Sequence, residues 1–512
     1  MAIQSNYPAI RPSLNLDFAN SKQLDPRITF TRASTATYYD GKTMAKAEEN
    51  LLLNSATLAT QNVTVTAQAY TLSFENTGTV TLSGASTAGP LVGTGVSNRV
   101  SLTFTPTAGT LTLTVSGTVT NAQLEARASA TAYTPTTTQP ITNYIPALQT
   151  ALAGVPRFEH NPLTGESLGL EIEEQRANLL TYSDAYSDSS WVKTRLIVSA
   201  NVIIAPDGTL TGDKIVEDTT SSNTHMVGKS TTTTAASHTF SVYAKAGERI
   251  SLMLYHVESN VSMAFNLSTV ASIGSLGLSS PTKSSITSVG NGWYRCSITA
   301  TATAASNTFR TYLVDGTQYS YTGDGVSGLY LWGAQLEAGA FATSYIPTVA
   351  SQVTRSADAA SMTGTNFSSW FRQDEGTICS DFFPVGIQAS TGTGPVYSFS
   401  DGTSSNRIRA NLTGGSAILT ADIAYSGVAQ VANTRTAPFN SAAKHALSYN
   451  KNDSADAFNG SSATADTVCL IPVITQLQIG TLVTTGQYTG TIKRIAYYPK
   501  RLTNAQLQAI TS

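Results

Sequence analysis

The stretch Ala122-Gln-Leu-Glu-Ala-Arg-Ala-Ser-Ala-Thr-Ala-Tyr-Thr-Pro-Thr136 recurs, without a gap, as Ala334-Gln-Leu-Glu-Ala-Gly-Ala-Phe-Ala-Thr-Ser-Tyr-Ile-Pro-Thr348. Eleven of the fifteen positions are identical. Upstream, Asn50-Leu-Leu-Leu-Asn-Ser55 is echoed by Asn178-Leu-Leu-Thr-Tyr-Ser183. Two units, 50–136 and 178–348, therefore begin and end alike. Self-similarity of this kind marks repeated structural modules. The first unit is about half the length of the second and reads as a shortened copy of it.

Inside both units the pattern is that of strands. Tyr70-Thr-Leu-Ser-Phe-Glu75, Arg99-Val-Ser-Leu-Thr-Phe-Thr105 and Thr110-Leu-Thr-Leu-Thr-Val-Ser-Gly117 alternate apolar and polar residues. Asn76-Thr77-Gly78 and Thr107-Ala108-Gly109 supply turns. His238–Lys245, Ile250–Val257, Gly292–Thr299 and Leu329–Leu336 continue in the second unit. Short period-two runs between glycine turns predict half-buried antiparallel sandwiches. The expected class is all-β, a multi-domain chain of antiparallel β-sandwiches. Its parts are a leader at 1–49, the small sandwich at 50–136, a connector at 137–177, the larger module at 178–348, a connector at 349–364 and a third module at 365–512. The leader, too small for its own core, either adds to another layer or docks on a partner. Only Leu502-Thr-Asn-Ala-Gln-Leu-Gln-Ala-Ile510, with Thr503 as N-cap, reads as a helix.

Composition bounds the function. The chain has 512 residues, of which 41% are hydrophobic and only 12% charged, about half the usual ~25%. Thirty Lys+Arg against thirty-two Asp+Glu give a net charge of −2, without the basic excess of a nucleic-acid binder. Cys296, Cys379 and Cys469 are too scattered for a disulfide framework and fit as small apolar side chains. No secretion signal is visible at the N-terminus, and no apolar run approaches the ~20 residues of a membrane span. A soluble protein, made and assembled in a reducing cytoplasm, is expected.

The motifs in their order resemble known families. The third unit is similar to the concanavalin A-like, laminin-G-type lectin sandwich, through Phe458-Asn-Gly460, Leu477-Gln-Ile-Gly480, Tyr488–Tyr498 and the closing Leu502 segment. The second resembles the carbohydrate-binding jelly-roll modules of bacteriophage fibres and spikes, through Glu173-Glu-Gln-Arg-Ala-Asn-Leu-Leu180, Asn291-Gly-Trp-Tyr-Arg295 and Trp332-Gly-Ala-Gln-Leu-Glu337. Leu24–Tyr38 looks like the leader of such proteins. There the leader runs directly into a segment like Pro156-Arg-Phe-Glu-His-Asn-Pro-Leu-Thr-Gly165. Here more than a hundred residues intervene, so the 50–136 unit looks inserted. The resemblance implies a virion fibre, spike or decoration protein. It implies a homotrimer bound to other virion proteins through the leader, and adhesion to host-surface polysaccharide. It names neither nucleic acid nor membrane as partner.

Candidate chemistry is sparse. Glu171-Ile-Glu-Glu-Gln175 approaches the Glu-x-Asp-x-Glu of some glucanases, in which two carboxylates stand about 5–5.5 Å apart for retaining hydrolysis. The middle Asp is missing, however, and the segment lies in a connector, so a solvated acidic strand is expected. None of the five histidines sits near a nucleophile elbow, and His445 reads as a strand-edge residue. The chain is not expected to be an enzyme. Sugar binding needs aromatic rings and short polar side chains on one surface. Strand parity puts Tyr243 and Lys245 opposite the apolar face of 238–245, and Trp293 and Arg295 opposite that of 293–299. If the two polar faces coincide, these four residues line a concave glycan site. The competing reading packs Trp293 on a neighbouring strand or a symmetry mate, and puts Trp191 and Trp332 in the core. Lectins of the third unit's type use residues such as Asp381, Asp401, Asn459 and Tyr449 with calcium. A structural calcium near Asp207 or Asp213 is a further option, and no other cofactor is expected. A non-adhesive head fibre or capsid decoration protein, and a polysaccharide-degrading spike, remain as alternatives; the second requires two acidic side chains converging in a groove.

Overall fold

The computed structural model describes residues 7–387, 392–413, 418–481 and 486–512. Residues 1–6 of the leader lie outside the described residues. Nearly all regular structure is antiparallel strand, arranged as three sandwiches.

The first pairs a sheet ordered Thr120–Glu125, Tyr70–Asn76, Gly95–Phe104 with one ordered Gln61–Val65, Gly109–Ser116, Thr79–Gly84, Leu91–Val92. The alternation in the sequence becomes the core here: Leu72, Phe74, Leu82, Leu111 and Leu113 fill the space between the sheets. The second sandwich stacks two six-stranded sheets. Phe240, Val242, Leu254, Cys296, Phe309 and Leu331 meet between them.

The repeated fifteen-residue motif is a clasp. Glu125 accepts hydrogen bonds from the Thr131 amide and hydroxyl, and Glu337 does so from Thr343. Ser55 meets the Tyr133 hydroxyl at 2.8 Å, and Ser183 meets Tyr345 at 2.6 Å. Thr136 donates to the Leu52 carbonyl and Thr348 to that of Leu180, both at 2.6 Å. Each module's end is thus tied to its beginning. A buried backbone group needs a partner, and these side chains supply it where no strand can.

The third sandwich differs from the expected division. Its two sheets carry eight and seven strands, and several come from outside 365–512. Leu14–Asp17 and Ser167–Ile172 lie one after the other along the same edge of Tyr488–Tyr498. Phe158–His160 adds to Ser167–Ile172. Thr29–Thr31 pairs with Ala359–Thr363, which pairs with Gln476–Ile479. Leu14, Leu16, Phe18, Leu170, Ile172 and Met362 enter its core. The leader therefore adds to another layer through 14–31. Parts of both connectors are strands of the third module. The chain starts this sandwich, leaves it for the other modules and returns to close it.

Each excursion has a neck. Ala36–Asn50 and Ile141–Ala151 form a two-stranded ribbon that carries the first module. Arg176–Asn178 and Val353–Arg355 pair at the base of the second. The closing helix, Asn504–Thr511, has a capping box between Thr503 and Gln506 and buries Leu507 beside Tyr498 and Leu502.

Candidate functional site: a cleft where the modules meet

Strands Ser237–Ala246 and Trp293–Thr301 are neighbours, with Tyr243 opposite Arg295 and Lys245 opposite Trp293. The four residues named from sequence share one face. That face is not the open platform they were expected to form. Trp293 has no exposed surface, and its Nε1 donates to the Ile204 carbonyl at 3.0 Å. Tyr243 is buried edge-on against Trp332 and Tyr345. Lys245 pairs with Glu48 of the ribbon at 2.5 Å. The ribbon brings Tyr39, Ala47, Ile145 and Leu148 onto this end of the sheet, and they form one apolar cluster with Trp293, Trp332 and Tyr345. Parity fixes which face a side chain takes; it does not reveal that another segment covers it. Trp293 presents no ring to a sugar, whereas Tyr243, though nearly buried, lines the cavity next to it. Trp191 is also buried.

Beyond the ribbon the same face opens into a cavity of about 880 Å³, within the range of small-ligand sites. Its floor is a ladder of opposed pairs from Lys283–Gly290 and Trp293–Thr301: Lys283 with Thr299, Ser285 with Ser297, Thr287 with Arg295. Ser285 and Ser297 share a hydrogen bond of 2.7 Å. Ile286 points the other way, into the core, so the alternation in Lys283-Ser-Ser-Ile-Thr287 turns Ser285 and Thr287 outward. Phe341 and Thr343 form one wall, and Phe383, Val385, Asn440 and Thr491 of the third sandwich form another. Arg295 lies 5.4 Å from the Tyr243 ring centre and donates to the Thr343 carbonyl and to Ser241.

The remaining wall holds acids. Glu159, Glu171 and Glu173 line it, with His160 beside them. The expected solvated strand at 171–175 is instead a buried junction. Arg157 reaches Glu171 at 3.0 Å, Glu173 at 2.8 Å and Asp358 at 2.7 Å, and also donates to the Thr37 carbonyl and Ser344 Oγ. Asp358 also holds Arg32 at 3.0 Å, and Glu173 holds Arg355 at 2.9 Å. Glu173 further accepts from the amide and hydroxyl of Ser344. Burial opposes its ionisation, but Arg355, Arg157 and Ser344 outweigh it and hold Glu173 at about 2. Burial pushes Glu159 up to about 7 although the Tyr39 and His160 amides donate to it. Burial, followed by the neighbouring Glu173 and Glu159, raises Glu171 well above the usual carboxyl range against the pull of Arg157.

The residues considered for calcium are not brought together. Tyr449 is buried and bonds the Arg372 carbonyl and the Tyr497 hydroxyl. Asn459 accepts from the Lys444 amide, and Asp401 from Thr403 and Asn406. Asp381 is in register with Lys444 and Arg494. Both carboxylate oxygens of Asp213 accept backbone amides, from Asn201 and Ser187, and Asp207 accepts from Thr209. Among the described residues no group of three such side chains could hold a metal ion. His445 is not at a strand edge; it is buried in mid-sheet, 3.7 Å from Asp456.

No protein-family model and no curated protein matches the chain. Similar solved structures include the NanB sialidase from Streptococcus pneumoniae, at 12% identity, 29% of this chain, 26% of that one and a TM-score of 0.25. Trypanosoma rangeli sialidase is similar at 11% identity, 58% of this chain, 60% of that one and a TM-score of 0.25. The chain spans less than two thirds of either, and likenesses at this TM-score carry no inference about fold or chemistry.

Proposed function

We propose that the chain is a bacteriophage virion protein, a fibre or spike projecting from the particle, that holds host-surface glycan in the cleft between its modules. The observation that carries this reading is the exposed pair Ser285 and Thr287, backed by the buried Ser297 and Thr299, under the Phe341 wall. Short hydroxyl side chains match sugar hydroxyls, and an aromatic ring matches the apolar face of a pyranose. The phage-like order of motifs supports the location, and the homotrimer rests on that resemblance. Attachment to other virion proteins then falls to the sandwich that contains 14–31, or to residues beyond it.

Polysaccharide cleavage is the lesser reading. Three carboxyl groups do converge on a groove. Glu159 and Glu171 are raised above the usual carboxyl range, as a general acid must be. Glu173, the carboxyl held ionised, is however engaged by Arg157, Arg355 and Ser344, so it is not free to act as nucleophile or base.

A glycan array with the wild type and Ser285→Trp tests the proposal. Ser285 is exposed on the cleft floor, so an indole there fills the site without disturbing the core. Glycans retained by the wild type and lost by the variant, with immunogold labelling on intact particles, are the expected result. Retention by both proteins overturns the placement of the site in the cleft, and binding by neither overturns the adhesive reading. The protein would then be a decoration or head-fibre component if particles are labelled.

A further inference from the structure

The ladder ends in positive charge at both extremities. Lys283 stands at one end and Arg295 at the other, four residues apart along the strand, or about 13 Å at ~3.3 Å per residue. Neither has a carboxylate partner among the described residues. Lys283 lies 5.5 Å from the Phe439 ring centre, and its ammonium is exposed. Arg295 uses three of its five donors on Ser241 and the Thr343 carbonyl. Across the cleft the acids offer these cations little competition. Glu173 is neutralised by two arginines, and Glu159 and Glu171 resist ionisation. A chain with net charge −2 thus presents a cleft with two cations that have no carboxylate partner among the described residues.

We infer that the cleft takes an acidic oligosaccharide, with sugar carboxylates countered by Lys283 and Arg295 at the two ends of the hydroxyl ladder. The inference rests on the glycan-binding reading and narrows it to a substrate class. Lys283 supplies attraction at the rim, and Arg295, which lines the cavity, adds the two N–H donors it does not spend on Ser241 and Thr343. The serine and threonine hydroxyls between them serve any sugar; the charges distinguish an acidic one from a neutral one.

Calorimetric titration of the full chain tests it. The probes are trigalacturonate and 3′-sialyllactose, with carboxyl-reduced trigalacturonate and lactose as their neutral counterparts. At low salt the expected result is at least one acidic probe bound about tenfold or more tighter than its neutral counterpart. Lys283→Gln should remove most of that preference, as should 0.5 M salt. Because Lys283 is exposed, the variant should melt with the wild type. Equal binding of acidic and neutral probes, or a preference that survives Lys283→Gln, overturns the inference and leaves the glycan-binding reading standing. No binding of any probe, together with no glycan lost from the array by Ser285→Trp, overturns both.

Discussion

Asn50 and Asn178 hold their two modules shut through the same four contacts. Asn50 donates to the carbonyls of Ala122 and Thr134 and accepts from the amides of Leu52 and Leu124. Asn178 donates to Ala334 and Ile346 and accepts from Leu180 and Leu336. Both side chains are fully buried. Asn178→Ala leaves two carbonyls and two amides without partners, at ~1–3 kcal/mol each. We predict a local loss of at least about 4 kcal/mol, read as faster amide exchange at Leu180 and Leu336. Asn50→Ala should loosen the first module alone.

Trp293 acts on stability rather than on recognition. Trp293→Ala removes an indole enclosed by the ribbon and breaks its bond to Ile204. A loss of about 3–5 kcal/mol is expected. The melting temperature should fall, and amide protection should fall along Ala36–Asn50 and Ile141–Ala151. A selective loss of glycan binding with an unchanged melting curve would count against this assignment.

Arg157 is the keystone of the junction, since it binds carboxylates from the 167–173 segment and from Asp358 at once. Arg157→Met leaves Glu171 without a cation and Glu173 and Asp358 with one arginine each in a buried site, at a cost of about 3–5 kcal/mol. Arg157→Lys should rescue little, because an ammonium lacks the planar fork that reaches Thr37, Ser344 and Asp358 together. Denaturant titration of the two variants checks both statements.

The acids of the cleft give opposite pH limbs. Glu173 has a folded value of about 2 against an ordinary 4.5. Its contribution is present above about 4.5 and is lost as the pH falls through that window toward 2. Glu159 is shifted the other way, from 4.5 to about 7. The folded state then binds more protons than the unfolded one, so stability declines as the pH rises from about 4.5 to about 7. Glu173→Gln should remove the acid limb, and Glu159→Gln should flatten the decline on the other side. Melting temperatures across pH 3–8 check both signs.

How much of this the sequence carries depends on the range of the cause. Alternation and glycine turns are local, so the strands of the first two modules are legible, as is the capped helix at 504–511. The fifteen-residue repeat is legible as a module boundary because its side chains bond within the module. Leu14–Asp17 is legible as a strand but not as part of the third sandwich, and Ser167–Ile172 and Ala359–Thr363 read only as connector. Their partners lie up to several hundred residues away, and nothing local names an edge. The same limit governs the site. Parity set Tyr243, Lys245, Trp293 and Arg295 on one face, yet the covering ribbon is contributed by residues 36–50 and 141–151. The Ser285–Ser297 ladder is not among the residues read as a site, and only the third sandwich makes a cleft of it.

The most direct test of the account is amide-exchange mapping of the full chain with and without a glycan selected from the array. Retarded exchange confined to Lys283–Gly290, Trp293–Thr301 and residues 340–345 is the predicted result. Protection centred on another module, or no protection at saturating glycan, would contradict the assignment of the cleft as the binding site.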